Sequence, residues 1–279
     1  MASTSQGAKR MTMGDEAISS SHDRDTSRRL LAVVAHPDDE SFGCGSLLAY
    51  AVSNGFIVTV CCATRGEAGE PTAGSVPEGH TIAAVRESEL HKAAEILGVA
   101  RVELLDFVDS GMTGPAPIGS LVAAPPSDVV TKVGGIIEAI EPDVVVTLDG
   151  SDGHRDHATI RDATLEAVRT ARWRTQATYL WCLPRHLMRQ WADLMASQNP
   201  GSDYLALGEL GTPLEEITTV LDTGEYLSTR EAAMAAHRSQ VSPYEGLPTD
   251  LRNAFLSADH LVRVDPAWTE GPVESSLLS

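Results

Sequence analysis

The chain has 279 residues, of which 42% are hydrophobic, and a formal net charge of −18. That is enough apolar sequence for one large domain, alone or with a small appendage, and no stretch has the length and apolarity of a membrane span or a signal peptide. So acidic a chain, whose lysines are Lys9, Lys92 and Lys132, is ill suited to a nucleic-acid backbone, which needs clustered cations.

Residues 1 to 28 are polar, rich in Ser, Asp and Arg and without period, and read as a disordered leader. An apolar run over 30 to 35 then reads as a buried strand that empties into His36-Pro37-Asp38-Asp39-Glu40. Proline after His36 biases it toward extended backbone, and a helical pattern resumes over 41 to 53, closed by Gly55. A strand over 56 to 64, a loop rich in Gly and Pro up to His80, and a helix over 81 to 97 stopped by Gly98 come next. A strand over 102 to 107, a second Gly/Pro-rich loop over 111 to 126, and a helix over 128 to 140 deliver a strand at 144 to 148. That strand runs into Asp149-Gly150-Ser151-Asp152-Gly153-His154-Arg155-Asp156-His157, followed by a helix over 158 to 171 and a strand over 177 to 183.

Strands alternating with helices imply an α/β, Rossmann-like fold over 29 to 185, a mostly parallel sheet with helices on both faces. The part from 186 to 279 is smaller and less regular, and is expected to complete the substrate pocket within the same domain or as a small subdomain. It carries an apolar helical stripe at Leu187, Met188, Trp191, Leu194 and Met195, which reads as packing rather than a cofactor box. A strand over 217 to 221, a helix over 229 to 237 and a closing strand over 261 to 264 finish it. Cys44, Cys61, Cys62 and Cys182 form no Cys-x-x-Cys pair and read as reduced, buried thiols, which points to the cytoplasm.

Both polar clusters leave strand ends, where open α/β sheets place their ligands. Histidines three apart, His154 and His157, can face one centre from a single turn, and with His36 and Asp39 they supply nitrogen and oxygen donors suited to zinc. Plainer readings exist: acids before a helix satisfy amide donors and suit its dipole, and Asp156 can cap the helix that follows it. These account for Glu40 but not for His36 or the second histidine cluster. A dinucleotide reading of Gly43-Cys44-Gly45 fails, because the third glycine is missing and an acidic loop repels a pyrophosphate.

Together the two motifs resemble the LmbE-like family of zinc-dependent N-deacetylases, which includes phosphatidylinositol-glycan and mycothiol-pathway amino-sugar deacetylases. Residues 35 to 40 match its Ala-His-Pro-Asp-Asp-Glu motif and residues 154 to 157 its His-x-x-His motif, within a resemblance running from Leu30 to the region of His237. The resemblance implies Zn²⁺, with Fe²⁺ as a further candidate, held by His36, Asp39 and His157. It implies Asp38 as the general base, and His154, oriented by Asp156, as the group that stabilises the oxyanion or protonates the leaving amine.

As substrate-binding residues it points to Arg65 and Glu67 in a Gly-Glu-x-Gly-like loop, to Arg86 of an Arg-Glu pair with Glu87, and to His237 of a late His-x-x-Gln element. The plainer alternatives are a solvated charged loop for Arg65 and Glu70, an ion pair for Arg86 and Glu87, and a dipole role for His237. The implied reaction removes an N-acetyl or N-acyl group from a small-molecule amino sugar or its glycoconjugate, giving a carboxylate and a free amine. The alternatives are an amidase acting on a larger thiol or acyl conjugate, a non-haem iron oxygenase, which the spare Asp38 disfavours, and a non-catalytic zinc-containing sugar-binding protein, against which an intact Asp38 and His154 stand. The acyl chain, the group attached to the sugar and the oligomeric state, a homo-oligomer included, stay open.

Overall fold

The computed structural model describes Met1, residues 27–198 and residues 208–278; apart from Met1, Ser27 and Arg28, the expected leader lies outside the described residues. Strands β1 (Arg29–Val34), β2 (Ile57–Cys62), β3 (Arg101–Leu104), β4 (Val144–Leu148), β5 (Ala177–Cys182), β6 (Thr219–Asp222) and β7 (Ala258–Asp265) form one sheet in the order β3-β2-β1-β4-β5-β7-β6. The first five are parallel, whereas β7 pairs antiparallel with both β5 and β6. The last part of the chain therefore extends the same sheet.

β1 and β4 are apolar along nearly their whole length because helices cover both of their faces. On one face α1 (Gly45–Ser53) and α2 (Ile82–Leu97) bury Leu47, Leu48, Leu90 and Leu97 against Leu30, Ala32 and Val146. On the other, α3 (Pro126–Ile140) and α4 (Arg155–Thr170) bury Val129, Val133, Ile137 and Ile160 against Leu31, Val33 and Val145. A third cluster joins α5 (Arg185–Gln198), α6 (Leu227–Met234) and α7 (Thr249–Leu256) around Leu187, Met234, Leu251 and Phe255. Among the described residues no helix is long and apolar enough to cross a membrane.

The chain departs from the sequence reading at three element boundaries that matter. A single π-helical turn, Asp39–Gly43, precedes α1, which starts only at Gly45. α4 starts at Arg155 rather than 158, with His154 as its N-cap, so His157 sits on its first turn. α6 ends at Met234, before His237, and α7 was not read at all: with eight residues it gives too short a period to stand out.

Sheet order reverses at β1, with β2 on one side and β4 on the other, and at such a switch point the loops leaving adjacent strands open a crevice. The turn after β1 is gripped from far along the chain. Arg230 of α6, fully buried, donates from Nε to the Ser41 carbonyl at 3.1 Å and from Nη2 to those of Phe42 and Gly43, while the Tyr244 hydroxyl donates to Phe42 O at 2.8 Å. Its Nη1 lies 3.9 Å from the buried carboxylate of Asp259. Arg230→Ala removes a buried cation facing an acid and takes a donor from three carbonyls, of which Phe42 O alone keeps Tyr244, so it should cost about 3 kcal/mol or more. The midpoint and slope of urea unfolding measured on the purified variant check this.

Candidate metal centre

The turn after β1 forces an uncommon backbone on Asp38, with φ 124° and ψ −28°. Glu40, without solvent exposure, holds it there: its Oε2 accepts the Asp38 N–H at 2.9 Å, and its Oε1 accepts the Ser41 hydroxyl and His237 Nε2, each at 2.6 Å. The reversal sends the Asp38 side chain into a cavity and folds Asp39 back, so that Asp39 Oδ2 accepts the N–H groups of Ala35 (3.1 Å) and His36 (2.8 Å).

Asp39 Oδ1 then lies 3.3 Å from His157 Nε2, which is 3.3 Å from His36 Nδ1; His36 Nδ1 is 3.7 Å from Asp39 Oδ2. Ligands 2.0–2.1 Å from a tetrahedral zinc are themselves about 3.3–3.4 Å apart, which matches the spacings of His157 Nε2 to Asp39 Oδ1 and to His36 Nδ1, whereas the 3.7 Å contact of His36 is to the other Asp39 oxygen. The outer nitrogen of each ring faces a carboxylate: His36 Nε2 has Asp156 Oδ2 at 3.1 Å and Asp109 Oδ1 at 3.5 Å, and His157 Nδ1 has Asp152 Oδ2 at 2.5 Å. Those contacts place the ring protons outward and leave Nδ1 of His36 and Nε2 of His157 as donors to a metal.

Charge points the same way. Burial pulls the His36 pKa down, but hydrogen bonds to Asp109 and Asp156 and the charge of Asp39 outweigh it and hold it at about 9. His157, against the same burial, is held well above the ordinary histidine value by Asp152 and Asp39. Burial pushes Asp39 up, yet His157 and His36 together hold it well below the carboxylate range. The ring of acids thus favours positive charge at this point.

Two overlapping groups have ligand atoms within 4.8 Å of one another, His36 with His154 and His157, and His36 with Asp109 and Asp156. The second group lies on the outer side of His36: Asp109 accepts from Ala68 N (3.2 Å) and Gly111 N (2.8 Å), and Asp156 Oδ2 from Ser110 N (2.9 Å), while Asp156 Oδ1 is buried without a hydrogen-bond partner. In the first, His154 Nδ1 accepts the Asp156 N–H at 3.2 Å, which puts its own proton on Nε2. Burial, then the charges of His36 and His157, push the His154 pKa down to about 4, which keeps the ring uncharged. His154, Asp38, Arg86 and the donor triad line one cavity of about 880 Å³.

Several expected site residues are placed otherwise than the sequence suggested. The Asp156 carboxylate backs His36, and it is the backbone N–H of Asp156 that orients His154. Arg65 pairs with Glu87 at 2.5 Å and Asp106 at 2.6 Å, outside the cavity wall. Glu67 accepts the Asp109 N–H at 3.0 Å and so sets the loop behind His36. His237 is buried against Glu40 and does not reach the wall; burial lowers its pKa, but the Glu40 charge and hydrogen bond raise it further.

Of the four residues expected to bind substrate, Arg86 is the one on the wall, and it is buried there, donating to Gly66 O (2.8 Å), Pro37 O (2.6 Å) and Asp38 Oδ2 (2.9 Å). A Cβ at Gly66 or Gly69 would collide with its guanidinium, the physical reason for the glycines flanking Glu67. Burial pushes the Asp38 pKa up, Arg86 draws it back and Asp39 raises it again, to about 6.

Sequence reasoning missed Asp109, whose only signal is its place beyond the strand next to β2, and Asp152, two residues ahead of His154 in the quoted cluster. It also missed the apolar wall from α5 and residues 241 to 244, whereas Gln240, the last residue of the His-x-x-Gln element, does line the cavity.

Residues 31–168 match the family model described as PIG-L, GlcNAc-PI de-N-acetylase. A 1D-myo-inositol 2-acetamido-2-deoxy-alpha-D-glucopyranoside deacetylase of Geodermatophilus obscurus is 31% identical over 283 residues, covering 88% of this chain and 95% of the relative. The protein of the same name from Rhodococcus erythropolis is 32% identical over 279 residues, covering 89% and 94%. Among solved structures, the N,N'-diacetylchitobiose deacetylase of Pyrococcus horikoshii superposes with a TM-score of 0.56 at 19% identity, over 85% of this chain and 84% of that one. GalB of Pseudomonas putida KT2440, a 4-carboxy-2-hydroxymuconate hydratase, does so with a TM-score of 0.59 at 18% identity, over 88% and 99%. A deacetylase and a hydratase on one scaffold mean that the structural likeness carries the fold and not the reaction.

If His36, Asp39 and His157 are the ligands, alanine at any of them should abolish stoichiometric metal. Asp152→Asn and Asp156→Asn should weaken affinity about 10–100-fold through the rings they orient. Competition with a chromophoric chelator on the purified variants measures both effects.

Proposed function

The chain belongs to the PIG-L family of GlcNAc-PI de-N-acetylases, and from that premise we propose that it hydrolyses the N-acetyl group of an amino sugar or amino-sugar glycoconjugate to carboxylate and free amine. The observation that carries the reading is the pairing, across one cavity, of a carboxylate outside the donor triad with a neutral imidazole whose N–H is free to donate. Hydrolysis of an amide needs both: a base for the attacking water and a donor for the oxygen on which charge develops.

His36, Asp39 and His157 are the residues that would hold a metal, and their nitrogen and oxygen donors suit Zn²⁺, with Fe²⁺ fitting the same set. When bound, such an ion supplies Lewis acidity, lowering the pKa of water and polarising a carbonyl. Asp38 then takes the water's proton. Arg86 engages its Oδ2, fixing the carboxylate, and the pKa near 6 suits a base that must be ionised at neutral pH and still accept a proton. His154 Nε2–H donates to the developing oxyanion, its ring fixed by the helix N-terminus it caps. The leaving amine takes its proton from Asp38, which holds the one removed from water, or from His154.

The cavity volume of about 880 Å³ also admits the second reading, an amidase acting on a larger acyl or thiol conjugate at the same centre. The partner in either case is a small molecule. Four free, buried thiols suit a reducing compartment, and the cytoplasm is the compartment we propose.

Incubating zinc-loaded protein with a panel of N-acylated amino sugars, with mass spectrometry for loss of the acyl group, tests the reading; absence of amine from every member would sink it. Asp38→Asn should keep the metal and lose about 10²–10⁴ in turnover, with metal content and rate measured on one sample. His154→Ala should lower kcat about 10²–10³-fold with little change in KM, since the donor acts on the transition state more than on the bound substrate. Steady-state kinetics beside metal content separate that outcome from loss of a ligand.

A further inference from the structure

The apolar stripe of α5 does two jobs. Leu187, Met188, Trp191 and Leu194 pack into the cluster with α7, and Met188, Trp191 and Met195, at spacings of three and four along the helix, also line the cavity that contains the donor triad. Facing them in the same cavity are Val241, Pro243 and Tyr244. The Trp191 indole N–H donates to the Pro243 carbonyl at 3.2 Å, which ties the two walls together and holds the ring as a fixed plate. Val241 is 64% exposed, although an apolar side chain gains nothing from water.

From this wall we propose that the substrate carries a neutral apolar chain or ring attached to the amino sugar, which packs between Trp191 and Met195 of α5 and the segment 241 to 244. The proposal rests on the amide-hydrolase reading and adds the substrate class. Indole, thioether, isopropyl and pyrrolidine surfaces offer a hydroxyl no partner, so a polyhydroxylated group such as inositol would have to turn to Gln240, Ser242, Glu70 or Glu245 elsewhere on the cavity wall, whereas an apolar group is matched by this stretch directly. Glu70 and Glu245 in the same cavity disfavour an anionic substituent. Methionines on one side suit groups of varied shape, because the unbranched thioether adapts where a branched side chain cannot. Continuity of this wall with the triad means that the apolar group enters together with the scissile amide.

Two series of substrates test the subsite, each kept below its micelle-forming concentration. In the first, N-acetylglucosaminides carry methyl, phenyl, octyl or inositol as the anomeric group; in the second, the methyl glycoside carries acetyl, butanoyl or octanoyl on nitrogen. We expect kcat/KM for the apolar members of one series to exceed that of its smallest member by about tenfold or more, and that series identifies which end of the sugar bears the group. Trp191→Ala should shrink this ratio at least about fivefold and Trp191→Phe should preserve it, a comparison made within each preparation and so independent of how much of it is folded. Flat ratios in both series, or the inositol conjugate as the best substrate, overturn the apolar subsite and leave the deacetylase reading standing. If the metal-loaded protein releases no amine from any member, it is the deacetylase reading that falls. Quenching of tryptophan fluorescence then decides the subsite, with about tenfold tighter binding of the octyl than of the methyl glycoside supporting it and equal binding overturning it.

Discussion

A carboxylate with no exposure to water must be surrounded by donors or cost several kcal/mol, and Glu40 meets that demand with partners from both ends of the chain. The amide of Asp38 and the hydroxyl of Ser41 come from its own turn, and the imidazole of His237 from 197 residues away. Bringing the Asp38 N–H onto Glu40 bends the backbone there into the positive-φ region, and the positions of the neighbouring acids follow from that bend. Asp38 is turned toward the cavity and Asp39 toward the amides beneath His36. Arg230 and Tyr244 then close on the carbonyls that the turn exposes, so the shape of the centre depends on α6 and the segment after it as much as on β1.

The three histidines show how one side chain type is made to serve different ends. Each ring has one nitrogen committed to a partner, and the partner's chemistry decides what the other nitrogen can do. Behind His36 and His157 stand carboxylates, which keep the outer proton and leave an inward lone pair. Behind His154 stands a backbone N–H, which occupies the lone pair and leaves an inward proton. Whether a ring offers a lone pair or a proton inward is therefore set by what lies on its far side. Four of the acids that make the chain so negative are put to local use here, where Asp39, Asp109, Asp152 and Asp156 surround those rings.

The parts legible in the sequence were those with a local cause. Apolar runs five or six residues long became parallel strands, and His36, Asp39, His154 and His157 fell at strand exits because a donor-rich motif directly follows each run. What was not legible is a matter of partner choice across long separations. Arg65 and Arg86 have the same side chain and sit near the same loop, yet one faces Glu87 and Asp106 at the surface and the other threads between two glycines to reach Asp38. Nothing in either residue's neighbours along the chain distinguishes them. The antiparallel entry of β7 between β5 and β6 escaped for the same reason, since an isolated apolar run carries no direction. The stripe on α5 was read as packing, which holds for Leu187, Met188, Trp191 and Leu194; that Met188, Trp191 and Met195 also line a cavity is something only the fold reveals.

The catalytic elements and the walls come from different lengths of chain. Every side chain that meets at the donor triad or backs it lies between His36 and His157, whereas the tryptophan and methionine wall and the segment facing it lie after residue 185. Substitutions in the second stretch can reshape what enters without disturbing a hydrogen bond to a ligand, provided that Arg230, His237 and Tyr244, which reach back to the turn, are kept. The architecture therefore permits drift in substrate preference at constant chemistry: it is a fixed reaction centre with a replaceable doorway.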